Sequence, residues 1–105
     1  MRDLCENIEV ISATVPTEDI ARNRRDFPGA KLSFHLELVC RGLADLTGLC
    51  QLLAASGQTL KSLRASETGM VYCVLLDNDA ADLTRLATDL GASARLMRWT
   101  TQVEF

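Results

Sequence analysis

Few side chains in this sequence could do chemistry: four cysteines, at positions 5, 40, 50 and 73, and a single histidine, His35. No two cysteines form a Cys-x-x-Cys pair. A zinc site would have to gather four ligands from distant points with no short clamp to start it. Cys40, Cys50 and Cys73 read instead as small apolar core residues, because free cysteine is among the most buried residue types. Cys5 stands among polar residues and reads as an exposed thiol with nothing beside it to activate it. Acid–base or nucleophilic catalysis needs groups that meet with shifted pKa values. The acidic residues gather at expected helix starts, where capping accounts for them, and His35 has no serine or cysteine elbow beside it. No catalytic residue, metal ligand or cofactor is expected, and the chain reads as something other than an enzyme.

Binding chemistry has two places to start. Arg41-Gly42 stands where a helix should open, and backbone N–H groups there favour an anion. A phosphate cradle wants more than this one glycine. Arg22-Asn23-Arg24-Arg25 concentrates positive charge, but the chain as a whole has 11 basic and 14 acidic residues and a net charge of −3. The cluster therefore reads as a solvated face, and neither nucleic acid nor an anionic membrane is expected as a partner. An RNA binder on a sheet would stack bases on central-strand aromatics, and the run from Met70 to Leu76 has only Tyr72.

These residues need elements to hold them. A length of 105 residues with 48% apolar content fits one domain with one core. Phe27-Pro28-Gly29 divides it, since Pro-Gly marks a turn and Pro28 disfavours helix at Phe27. Residues 1–30 read as a leader with a short strand from Ile8 to Val15 and a helical turn capped by Thr17. Residues 31–105 read as the domain proper. There Leu32, Phe34, Leu36 and Leu38 alternate with Ser33, His35 and Glu37, a strand with one buried face. Leu43, Leu46, Leu49, Cys50 and Leu53 then recur at helical spacing, and Gly57 supplies the left-handed end. Leu60 to Ala65 and Met70 to Leu76 read as strands about a turn at Glu67-Thr68-Gly69. Asp77-Asn78-Asp79 is a capping cluster for a second helix carrying Leu83, Leu86, Ala87 and Leu90, closed by Gly91. Ala94 to Phe105 is the last strand, with Met97, Trp99 and Val103. The order β-α-β-β-α-β predicts an α+β, ferredoxin-like sandwich, with two helices on one face of a four-stranded antiparallel sheet. The longest apolar run, Met70–Leu76, is too short to span a bilayer, and the charged start Met-Arg-Asp-Leu-Cys-Glu has no hydrophobic stretch behind it. A cytoplasmic protein is expected.

One string is more specific. Gly57-Gln58-Thr59-Leu60-Lys61-Ser62-Leu63, following the striped helix, resembles the helix end and second strand of ACT domains. In particular it resembles the regulatory small subunit of acetolactate synthase, where Gly-x-x-Ile-x-Ser-Leu follows the first helix. The resemblance covers about residues 32–104 in element order, and only this string residue by residue. It implies an ACT-type regulatory subunit of branched-chain amino-acid biosynthesis, a homodimer whose partner is a catalytic large subunit and whose effector is a small amino acid. It also implies a ligand loop at Arg41, Gly42, Leu43 and Ala44, with Leu60 turned into the core. That family commonly carries Asn and Gly where this chain has Arg41 and Ala44, so weak sensitivity to valine is expected. Two alternatives stand beside this reading: a stand-alone amino-acid-sensing ACT protein, and an RNA-binding ferredoxin-like domain.

Overall fold

Alternation of apolar and polar side chains lays down the strands, and apolar stripes lay the helices across them. The computed structural model describes residues 7–105; Cys5 lies outside them. Along the chain come β1 (Asn7–Ser12), α1 (Thr17–Asp26), β2 (Lys31–Val39), α2 (Leu43–Ala55), β3 (Thr59–Ala65), β4 (Met70–Leu76), α3 (Leu83–Asp89), a 3-10 turn (Leu90–Ala92) and β5 (Arg95–Glu104). The fold is α+β. Its sheet has five strands rather than the expected four, all antiparallel to their neighbours, in the order β1-β5-β2-β4-β3. Among the described residues there are three α-helices rather than two.

The extra strand and helix come from residues read as a leader. The ten-residue β5 is long enough to pair with β2 on one side and β1 on the other, Ile8 opposite Val103 and Val10 opposite Thr101. Because β1 and β2 each run antiparallel to β5, they are parallel to each other with β5 between them. The same logic places β4 between β2 and β3, and β2 between β4 and β5. Each helix therefore links two parallel strands that skip one neighbour, and only β3 and β4 are joined as a hairpin.

The core lies on one face of the sheet. Leu32, Phe34, Leu36 and Leu38 of β2 are buried, as are Val71, Cys73 and Leu75 of β4. Ile20 of α1, Leu49, Leu52 and Leu53 of α2, and Leu83 and Leu86 of α3 join the same cluster. Trp99 is fully buried, its ring centroid 5.1 Å from that of Phe34. Its indole Nε1 donates to the buried Thr101 Oγ1 at 2.8 Å, satisfying both polar groups inside the core.

Several local expectations are corrected. Leu43 is 81% exposed and Cys50 is exposed, because α2 is apolar nearly all round and lays down the side bearing Leu49, Leu52 and Leu53. Leu60 is 51% exposed, since β3 is the outer strand and none of its residues is buried. The cap of α3 is Asp82, whose Oδ1 accepts from the Arg85 amide at 2.9 Å, not the Asp77–Asp79 cluster. Thr17 is the first helical residue rather than the cap. Gly57 does take the left-handed form, with φ +73°. Among the described residues, no helix is long and apolar enough to cross a membrane.

Candidate functional site

The loop from β2 into α2 faces the tip of the β3–β4 hairpin, and the two are fastened together. The Cys40 amide donates to the Gly69 carbonyl at 2.9 Å. Gly69 itself sits at φ +91°, and a Cβ there would come within 2.6 Å of the Cys40 carbonyl oxygen, so only glycine allows the approach. Between them runs a groove of about 530 Å³. Arg41, Gly42 and Leu43 line one side and Ser66, Glu67 and Thr68 the other, with Leu46 and Val71 contributing apolar wall. Of the four residues expected to form a ligand loop, three line this groove; Ala44 is exposed and does not.

A residue the sequence reading passed over governs the electrostatics of the loop. Asp45, third residue of α2, turns its carboxylate back so that Oδ2 accepts from the Arg41 amide at 3.0 Å and from Arg41 Nε at 3.2 Å. This is a capping-box arrangement displaced by one residue. The Arg41 amide and side chain hold the Asp45 carboxyl below its ordinary pKa. The signal was present in the i, i+4 spacing of Arg41 and Asp45. Burial first, and Asp45 second, push the Cys40 thiol up. Burial pushes Cys73 up to about 12. Both thiols are therefore protonated at neutral pH and are poor nucleophiles. Among the described residues, no group of three or more His, Cys, Asp or Glu side chains could hold a metal ion.

The second surface is the face of the sheet that no helix covers, hollowed by a concavity of about 590 Å³. The strand registers order its side chains in rows. One row reads Thr100, His35, Val74, Ser62 from β5 across to β3. The next reads Arg98, Glu37, Tyr72, Arg64, with Arg98 and Glu37 joined as an ion pair and the Arg64 guanidinium carbon 5.5 Å from the Tyr72 ring centroid. On the other flank, Gln102 Nε2 donates to Glu9 Oε2 at 3.0 Å. His35 thus faces outward from a central strand, as the alternation in β2 predicted.

One of the arginines read as a solvated cluster is half-buried and paired. Arg24 reaches from α1 to the loop after β4, where its Nε donates to Asp77 Oδ2 at 3.0 Å and its Nη2 to Oδ1. The Asp77 side chain is only 14% exposed. No protein-family model, curated protein or solved structure matches the chain.

Proposed function

We propose that this chain is a non-catalytic regulatory domain of the ACT type, a ferredoxin-like sandwich that binds and adjusts a separate catalytic subunit. The arrangement of residues 31–105 carries this reading. Their strands lie in the order β5-β2-β4-β3, with two split β-α-β crossovers, as a β-α-β-β-α-β duplication requires. Within it Gly57 takes the left-handed helix end and Thr59 to Leu63 lie in the strand that follows, which supports the resemblance to the acetolactate synthase small subunit, while Leu60 departs from it by standing exposed.

The groove beside Arg41, Gly42 and Leu43 has room for a small amino acid. The Arg41 guanidinium and amide, however, are already engaged by the Asp45 carboxylate, in the position an effector's carboxylate would take at a helix N-terminus. An incoming ligand has to compete with a carboxylate tethered four residues away, which supports weak sensitivity to valine. Two measurements test the assignment. The chain should copurify with a thiamine-diphosphate-dependent large subunit of the acetolactate synthase kind. Valine, leucine or isoleucine alone should leave its melting temperature within about 1 °C of the ligand-free value. Strong stabilisation by one of them without a partner would replace this reading with a stand-alone amino-acid sensor.

A further inference from the structure

We propose that the uncovered face of the sheet is an interface between two copies of this chain, packed face to face about a two-fold axis lying along the row of Thr100, His35 and Val74. The occupant is argued from the charge pattern of β5 and its neighbours. On that face β5 presents Glu104, Gln102, Thr100, Arg98 and, beyond the irregularity opposite Glu37/Leu38, Arg95. Glu9 of β1 lies beside Gln102. Acid therefore stands at one end of the strip and base at the other. An isologous axis through Thr100 reverses the strip on its copy, bringing Glu104 over the partner's Arg95 and the Glu9–Gln102 pair over the partner's Arg98.

The rest of the face fits the same axis. Leu76 and Tyr72, 38% and 39% exposed, each lie two residues from Val74 on β4, on opposite sides of it. Reversal places each over the other, with Val74 on its own copy. Ser33 falls over the partner's Glu37, and Lys31, the cation at the acidic end, over the partner's Val39. An axis along β2 would set Glu37 against Glu37, so the charges select the first orientation. Five strands about 4.8 Å apart and five rows of side chains give a footprint of about 500 Å² per copy, or about 1,000 Å² in all. That is the lower limit for a specific interface and matches a reversible dimer. The inference stands whether or not a catalytic subunit is the partner.

Sedimentation velocity of the full chain from about 5 to about 500 µM should show a single chain passing into a two-chain species. Arg95→Glu, an exposed change, should raise the dissociation constant at least about tenfold, and Arg95→Glu combined with Glu104→Arg should restore it to within about threefold. Independently of charge, Thr100→Cys in a chain with Cys5 and Cys50 changed to serine should give an intermolecular disulfide under mild oxidation, because position 100 meets its own copy on the axis. A monomer at every concentration overturns the proposal. So does a dimer indifferent to Arg95→Glu, as pairing through the β3 edge would give, or a loss that the second substitution does not rescue.

Discussion

Arg24 and Asp77 lie 53 residues apart in sequence, yet form a bidentate pair that ties α1 to the loop after β4. The side-chain hydrogen bond to Asp77 raises the arginine's pKa further, so the guanidinium keeps its charge. Arg24→Ala should cost about 1–2 kcal/mol in urea unfolding, and Arg24→Lys should recover only part of it, since an ammonium cannot make both parallel bonds. Arg25→Ala should stay within about 0.5 kcal/mol. Nothing local in Arg22-Asn23-Arg24-Arg25 distinguishes the half-buried arginine from the two exposed ones, so this contact was illegible in the sequence. Asp45 was legible, by its spacing from Arg41. Its folded pKa is depressed, so its contribution is present above the ordinary value of 3.8 and is lost as pH falls through the lowered one. Thermal melts from about pH 5 to about pH 2 should therefore show a smaller acid loss for Asp45→Asn than for the native chain.

At the scale of elements, α2 and β3 show what periodicity can and cannot decide. The apolar stripe of α2 gave its existence and extent, but a helix with leucines on most sides does not announce which side lies down. Leu43→Ala should be nearly neutral, whereas Leu86→Ala, fully buried on α3, should cost about 2–5 kcal/mol by loss of packing and the cavity left behind. Gly57 was legible because a helix of this length must end and glycine alone takes the left-handed cap freely. A Cβ there would also come within 3.0 Å of the Ala80 carbonyl oxygen. Gly57→Ala should accordingly destabilise by about 1–2 kcal/mol, measured by the same melts. The exposure of Leu60 was not legible, since alternation fixes which face a side chain takes but not whether a helix covers that face.

The whole molecule repeats one device three times: a helix joining two parallel strands across a neighbour, as β1-α1-β2, β2-α2-β3 and β4-α3-β5. The first was hidden because a strand's partner is set by tertiary pairing, and Ile8 to Val15 carries no mark of β5. The other two were readable from the change of period between 2 and 3.6 residues. They leave one sheet face bare, and a groove at the start of α2 whose Arg41 is engaged by the chain's own Asp45 carboxylate. Both features suit a protein that acts by contact with another. The most direct test is acetolactate formation by a separately purified thiamine-diphosphate-dependent large subunit, measured as this chain is added and then as valine is titrated. The rate should rise to a plateau as the complex saturates, and valine should lower it little. A rate unchanged at every ratio of the two chains would contradict the regulatory assignment.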